Sequence, residues 1–239
     1  MKALAQRIES ELRAVGTPER AEGSKRYLKS DLDFLGNTLP DMRRVVNETL
    51  RANELDREGL LALVDSLWSK PVFERRMSAE ILLEERVKLL NAGDMQVLER
   101  LLRESETWAL VDGLAIKVVG PLVERFDRLN ATLDRWAIDE DFWIRRSALL
   151  ALLGPLRRGE GDFDRFARYA DDMLEEKEFF IRKAIGWILR ETSKKSPDMV
   201  FEWLEPRAPR ASGVTMREAV KYLGDDRAVS LMEKYKAGR

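Results

Sequence analysis

Apolar side chains recur along most of this chain every three or four residues, which is the spacing of an amphipathic α-helix. Residues 179–191, FFIRKAIGWILRE, show the pattern well, because Ile181, Ala184, Ile185 and Ile188 fall on one stripe. The same period runs through residues 41–55, 57–70, 73–90, 142–154 and 215–224. No segment shows the sustained alternation of apolar and polar residues that is typical of a half-buried strand. The pattern therefore predicts an all-α chain.

Residues that favour the start of a helix precede several of these segments. Asp56, Asp94 and Asp141 each stand directly before a helical pattern, and Ser196 stands before Pro197. Short polar side chains satisfy the free backbone amides of a first helical turn, and proline is favoured at the first helical position. The sequence therefore predicts helices that begin at these four points.

The N-terminal residues 1–16 have the pattern of an amphipathic helix that contains acidic side chains. Signal and transit peptides have a different composition, so neither is expected here. The chain also contains no run of about 18 apolar residues that would suit a membrane span. We therefore expect a cytoplasmic protein that has no membrane partner.

The helical segments also repeat. Small residues occur at intervals of 34, 35, 36 and 35 residues, at Ala79, Gly113, Ala148, Ala184 and Ala219. A near-constant period in this range, with two helices in each unit, is typical of HEAT-type repeats. The sequence therefore predicts a single HEAT-like repeat domain over residues 1–239, folded as a right-handed α-solenoid of about six helical pairs with a concave face.

The residue before each small residue is polar, and equivalent positions of a solenoid line a common surface. This polar row consists of Ser78, Asp112, Ser147, Lys183 and Glu218. Trp108 lies four residues before Asp112, and Trp187 lies four residues after Lys183, so each tryptophan shares a helix face with the row. We therefore expect Trp108, Asp112, Lys183 and Trp187 to point to one surface, with Arg146 at its flank.

The position of Trp187 permits two interpretations. Lys183, Trp187 and Arg190 form a face of their own helix that is separate from the apolar stripe. The indole would either pack against a neighbouring helix with the cations extended around it, or meet a flat or sugar-like group of a polyanion. A concave face with such residues would also suit a protein partner.

The composition excludes several kinds of chemistry. The chain has 44% hydrophobic residues, enough for a core, but no cysteine and no histidine. Zinc hydrolases, Ser-His-Asp triads and Cys-His pairs are therefore excluded, and we expect neither a metal site nor a cofactor. The net charge is −1 with 36% charged residues, which by itself does not decide for or against nucleic acid.

Several motifs resemble those of the HEAT-repeat DNA alkylation repair glycosylases, the bacterial AlkD family. The longest is KEFFIRKAIGWILRE (177–191), and shorter ones are WALVDG (108–113), FWIRRSA (142–148), RYLKSDLDFLG (26–36) and LPDMRR (39–44). The resemblance extends over essentially the whole chain. It departs from the family pattern at Thr107, where a second aromatic residue often stands.

The resemblance implies a monofunctional, monomeric glycosylase that removes cationic N3- and N7-alkylated purines from duplex DNA in the nucleoid. Members of the family are understood to act without extruding the damaged base from the stack. By motif position, the resemblance makes Asp112 the catalytic carboxylate and makes Trp108 and Trp187 the residues that contact the sugar. It also assigns a contact with the DNA backbone to Arg146 and a DNA contact to Tyr27.

Basic residues supply the expected phosphate contacts. These are Arg43, Arg44, Arg146, Lys183 and Arg190. Phosphate contacts would supply affinity and positioning that do not depend on base sequence. The alternative for each is a solvated surface position or an ion pair with an acid four residues away on the same helix.

A purine alkylated at N3 or N7 already carries a positive charge and leaves as a neutral base. General acid catalysis of its departure is therefore unnecessary, which is consistent with a chain that lacks histidine. Two other functions stay open. One is a HEAT-repeat DNA-binding protein without excision activity, and the other is a scaffold for protein interactions.

Overall fold

The computed structural model describes residues 1–238, and within them it confirms the all-α prediction. The regular elements of this part are helices, and the β-type hydrogen bonding that it contains is one isolated bridge between Asp33 and Val72. No helix in the described part of the chain combines the length and the apolar character needed to cross a membrane.

The chain forms two compact units, and the first spans Met1–Leu122. Its helices are α1 (Lys2–Val15), α2 (Pro18–Leu28), α3 (Leu39–Ala52), α4 (Arg57–Trp68), α5 (Phe73–Glu85), α6 (Met95–Arg103), α7 (Trp108–Leu114) and the first residues of α8 (Gly120–Arg125). Short 3-10 turns cover Val87–Leu89 and Ala92–Asp94, and a π-helical turn covers Ala115–Val119.

The second unit begins at Val123. Its further helices are α9 (Asn130–Trp136), α10 (Phe142–Leu150), α11 (Leu153–Arg158), α12 (Phe163–Asp172), α13 (Phe179–Ser193), α14 (Pro197–Leu204), α15 (Gly213–Ala219) and α16 (Asp225–Ala237). The 3-10 turns of this unit cover Asp127–Leu129, Glu205–Arg207 and Val220–Tyr222.

The predicted helix starts are in place, but two of the four side chains act differently from the prediction. Asp56 and Asp141 cap their helices by accepting hydrogen bonds from backbone amides, at 2.7 and 2.8 Å. Ser196 precedes α14 without a side-chain cap bond. The carboxylate of Asp94 instead accepts the backbone amide of Asn91 at 2.7 Å, and thereby closes the preceding 3-10 turn.

Several helices end earlier than the apolar period suggests. The pattern over residues 73–90 becomes a helix that ends at Glu85, followed by the 3-10 turn Val87–Leu89. The pattern over residues 142–154 divides into α10 and α11 after Leu150. Periodicity indicates which residues face the core, and a 3-10 turn or a new helix preserves that facing, so the pattern does not locate the break.

The predicted core positions are buried. All five small residues of the repeat series, Ala79, Gly113, Ala148, Ala184 and Ala219, are buried. The stripe of α13 formed by Ile181, Ala184, Ile185 and Ile188 is fully buried as well. In the first unit α5 packs against α3, α4 and α7, and in the second unit α13 packs against α10, α11, α14 and α15.

Ion pairs within each unit join residues about one repeat apart. Three of them span 35 positions: Asp65 with Arg100, Glu175 with Arg210, and Lys183 with Glu218. In a repeat protein each repeat contacts mainly its neighbours, so side chains one period apart meet. These pairs support the period read from the small residues.

Within the second unit, α13 and α15 approach each other closely at Gly186. A Cβ atom added to Gly186 would lie 2.8 Å from the Cβ of Glu218 and 2.9 Å from the carbonyl oxygen of Thr215. Real Cβ atoms do not sit this close to backbone, so α15 would have to move away. Glycine at this position therefore sets the distance between the two helices.

Gly186→Ala is expected to lower the free energy of unfolding by about 1–3 kcal/mol, since overpacking forces the backbone to shift. Gly23→Ala in α2 is the matched control, because an added Cβ there meets nothing within 4 Å. The control should be neutral or stabilising by up to about 1 kcal/mol, because alanine favours helix over glycine. Urea unfolding of both variants measures the difference, and equal stabilities would contradict the close approach.

Candidate functional site

Three of the predicted site residues come together in the first unit. Trp108 is the first residue of α7, and Asp112 follows one turn later on the same helix. Tyr27 on α2 meets Trp108 edge to face, with ring centroids 5.8 Å apart at an interplanar angle of 80°. Tyr27 is 71% exposed, whereas Trp108 and Asp112 are half-buried. The arrangement leaves a tyrosine ring, an indole and a carboxylate within reach of a ligand.

The helix that carries Tyr27 is weakly anchored. Although α2 begins with Thr17, whose side chain accepts the backbone amide of Arg20, none of the residues of this helix is buried. The ring contact with Trp108 therefore ties a surface helix to α7.

The chain after Asp112 leaves regular α-helical geometry. Residues Ala115–Val119 form a π-helical turn that ends just before Gly120 and Pro121. Proline has no backbone N–H, and its ring crowds the carbonyl four residues earlier, which here belongs to Lys117. A wider turn relieves that crowding, and such turns are frequent at functional sites.

The two arginines of α3 are held in ion pairs. Arg43 contacts Glu84 at 2.7 Å and Glu85 at 3.4 Å, both at the end of α5. Arg44 contacts Glu48 at 3.2 Å, one turn along its own helix. The ion pair four residues along the helix that the sequence offered is therefore present for Arg44, whereas Arg43 pairs with acids of a different helix. Exposed pairs of this kind contribute little stability, so they do not exclude an exchange of partners.

The face of α13 that carries Lys183, Trp187 and Arg190 is half-exposed and separate from the buried stripe, as predicted. Its two cations converge on Glu218, which comes from α15. The ammonium of Lys183 donates to Glu218 at 2.7 Å, and the guanidinium of Arg190 donates to the other carboxylate oxygen. Lys221 donates to Glu218 as well, at 3.0 Å.

Glu218 therefore serves as the shared partner of three cations. Burial acts to raise its pKa, but the hydrogen bonds from Lys183 and Lys221, with the charge of Arg190, outweigh burial and lower the pKa to about 2. The carboxylate stays ionised at neutral pH and fixes two of the cations beside Trp187. Gly186 makes this possible, since it lets the backbone of α15 come close to α13.

Arg146 is more enclosed than the sequence suggests. It is 3% exposed, its guanidinium donates to the backbone carbonyl of Phe180, and its Cζ lies 5.8 Å from the centroid of the Phe180 ring. In this structure Arg146 therefore joins α10 to the start of α13. To contact a phosphate, Arg146 would have to use N–H groups of its guanidinium other than the one that donates to Phe180.

The polar row divides into two kinds of position. Ser78 and Ser147 are fully buried, and their hydroxyls donate to the carbonyls of Glu74 and Trp143 in their own helices. The expectation that the whole row lines a surface is wrong for these two serines, because a short hydroxyl can satisfy itself on the preceding turn.

Sequence reasoning did not predict the contacts of two acids, Glu218 with Lys183 and Glu80 with α7. Glu218 is part of the polar row, and its spacing of one repeat from Lys183 is the signal that could have identified the pair. Glu80, which packs beneath α7, gives no such signal, because it lies inside an ordinary helical stretch of α5.

Comparisons with known proteins place the chain in a family. Residues 8–223 match the family model described as DNA alkylation repair enzyme, and this chain belongs to that family. No curated protein matches the chain significantly.

Solved structures agree with this assignment. A protein from Enterococcus faecalis described as a predicted DNA alkylation repair enzyme is similar at 26% sequence identity and a TM-score of 0.79, over 88% of this chain and 97% of that one. AlkD2 from Streptococcus mutans is similar at 19% identity and a TM-score of 0.61, over 79% and 92% of the two chains. The alkylpurine DNA glycosylase AlkC from Pseudomonas fluorescens, bound to DNA containing an abasic site analog, is similar at 20% identity and a TM-score of 0.54, over 97% and 66%. The last two likenesses concern the fold.

Glu218→Gln should lower the free energy of unfolding at pH 7 by about 1–3 kcal/mol, because three cations lose their charged partner. The folded-state pKa of Glu218, about 2, lies below its ordinary value of 4.5, so its contribution is present above 4.5 and is lost as the pH falls towards 2. Denaturant unfolding at a series of pH values should therefore show a smaller acid-induced loss in the variant than in the wild type. Parallel losses would contradict the assigned role of Glu218.

Proposed function

We propose that this protein is a monofunctional DNA glycosylase that hydrolyses the N-glycosidic bond of cationic N3- and N7-alkylated purines in duplex DNA, without flipping the base. The observation that carries the proposal is the cluster of Tyr27, Trp108 and Asp112 in a chain without histidine or cysteine. Membership of the DNA alkylation repair enzyme family supports it. So does the likeness to AlkC, a glycosylase solved with DNA that contains an abasic site analog.

The reaction needs no general acid from the protein, because the leaving group already carries a positive charge. As the glycosidic bond breaks, the alkylated purine takes the bonding electrons and becomes neutral, while positive charge develops on the deoxyribose. A carboxylate beside C1′ stabilises that charge and orients or deprotonates the water that attacks C1′. This is the role that we propose for Asp112.

The proposed roles of the tryptophans follow from the same charge development. The faces of indole rings are electron-rich, and they attract groups that become more positive in the transition state. We assign this role to Trp108 and to Trp187. The face of Trp187 is half-exposed and bordered by Lys183 and Arg190, which suits a sugar flanked by phosphates.

The phosphate contacts are assigned to Arg43, Arg44, Arg146, Lys183 and Arg190. The cation pair at Glu218 would bind phosphate by sharing hydrogen-bond donors, since Lys183 and Arg190 each have donors beyond those bonded to Glu218. Contacts of this type release counterions and give binding that weakens as salt rises.

Asp112→Asn should lower the rate of 7-methylguanine release from a duplex oligonucleotide by orders of magnitude. The amide keeps the shape of the side chain but removes the charge that stabilises the transition state more than the ground state. Affinity for undamaged duplex should be unchanged or slightly higher, because a carboxylate that repels phosphate is gone. Single-turnover assays with chromatographic detection of the free base measure the rate, and an unmodified duplex is the control.

If Asp112→Asn releases 7-methylguanine at the wild-type rate, Asp112 is not the catalytic carboxylate. Absence of base release by the wild type, together with salt-dependent duplex binding, would instead favour the DNA-binding protein without excision activity.

Arg146→Ala should weaken duplex binding and reduce the slope of log affinity against log salt by about 0.9 if one phosphate contact is lost. Arg168→Ala, which removes an exposed arginine outside the proposed site, should lower affinity less. Because Arg146 also bonds to Phe180, thermal unfolding must be measured alongside, and binding compared at a temperature where both variants are folded. An unchanged slope in a folded Arg146→Ala protein would assign the residue to packing alone.

A further inference from the structure

Glu80 is a buried carboxyl group that no step described so far uses. It lies on α5 with 2% of its surface exposed, and its Oε2 atom has no hydrogen-bond partner among the described residues. A buried polar group without a partner costs free energy, and a buried charge without a partner costs more. A carboxyl group in this position therefore lowers stability unless it has a role that offsets the cost.

The group that Glu80 contacts is the backbone at Gly113. A Cβ atom added to Gly113 would overlap the carboxyl group of Glu80, so only glycine admits the carboxyl at this point of α7. Gly113 directly follows Asp112 and directly precedes the last residue of α7, before the π-helical turn. The carboxyl of Glu80 thus fills a notch behind the proposed catalytic aspartate.

Four charged groups act on the pKa of Glu80, and they come from α3, α5, α7 and the π-helical turn. Burial raises the pKa of Glu80 to about 8; Lys117 and Arg43 oppose the rise, while Glu84 and Asp112 add to it. Glu80 is therefore mainly protonated at neutral pH, in contrast to Glu218 of the second unit.

We propose that Glu80 is a positioning residue for Asp112: its carboxyl group packs into the notch at Gly113 and fixes this turn of α7 behind the catalytic carboxylate. The inference rests on the proposed function, since it assigns a role in that reaction. Glu80 does not touch the substrate. Its ionisation would draw water towards the notch, repel Asp112 and move the turn that carries it.

Two substitutions separate shape from charge. Glu80→Gln keeps the shape and cannot ionise, so the rate at pH 7 should stay within about threefold of the wild type, as a conservative variant should rescue a positioning role. Glu80→Ala empties the notch, so the single-turnover rate of 7-methylguanine release should fall about 10- to 100-fold. Duplex affinity should stay the same in both, because no phosphate contact changes.

The decisive readout is the pH profile between about pH 6 and about pH 9.5, with uncatalysed base release subtracted at each pH. The wild-type rate should fall about tenfold as the pH rises past the pKa of Glu80, about 8, whereas Glu80→Gln should stay level. The melting temperature supplies a readout besides activity. A raised pKa makes stability decline as the pH rises to about 8, so Glu80→Gln should melt increasingly above the wild type over that range.

A double substitution tests the contact itself. Gly113→Ala alone should lower the rate and the stability, because its Cβ displaces the carboxyl of Glu80. Adding Glu80→Ala to Gly113→Ala removes the carboxyl that the new Cβ would displace. The loss of rate and of stability in the double variant should therefore be smaller than the sum of the losses in the two single variants. Strict additivity would contradict contact between the two positions.

The outcomes separate this inference from the function on which it rests. Suppose that Asp112→Asn is inactive, as the proposed function requires. The role of Glu80 is then wrong, while the function stands, if Glu80→Gln shows the wild-type pH profile. The same holds if Glu80→Ala is as active as Glu80→Gln. If Asp112→Asn excises like the wild type, both are wrong. A Glu80→Ala protein that does not fold leaves the comparison of Glu80→Gln with the wild type decisive.

Discussion

Two α-helices bring an acidic side chain this close to backbone only where one of them lacks a Cβ atom. Each unit of this protein contains such an approach, and each lies beside a residue of the proposed site. In the first unit the carboxyl of Glu80 packs at Gly113, and in the second the side chain of Glu218 packs at Gly186. Gly113 directly follows Asp112 and Gly186 directly precedes Trp187, and a Cβ atom added at either glycine would collide with its acid.

The same arrangement gives opposite electrostatics in the two units. Glu218 receives hydrogen bonds from several cations and stays ionised, while Glu80 receives none at Oε2 and stays mainly protonated. The difference follows from the neighbours: cations reach the carboxylate on α15, whereas the cations near α5 contact Glu84 instead. Burial of a carboxyl group therefore does not by itself decide its charge; the number of donors that reach it does.

Sequence patterns predicted which side chains of a helix are buried, but not which side chains meet across two helices. Apolar period reports which side of a helix faces the core, so the buried stripe of α13 and the separate face of Trp187 were predictable. A pattern contains no information on the partner across a helix interface. The enclosure of Arg146 by Phe180 and the unpaired Oε2 atom of Glu80 depend on such partners, and neither was foreseen.

The lack of any buried residue in α2 has a consequence for how Tyr27 would meet a ligand. Segments with few buried apolar contacts open at low free-energy cost, so backbone amides of α2 should exchange with solvent faster than those of α7. Tyr27 is thus mounted on a helix that can adjust its position while the indole of Trp108 stays fixed. In the proposed function, Tyr27 would follow the backbone of a bound duplex without disturbing the carboxylate one turn beyond that indole.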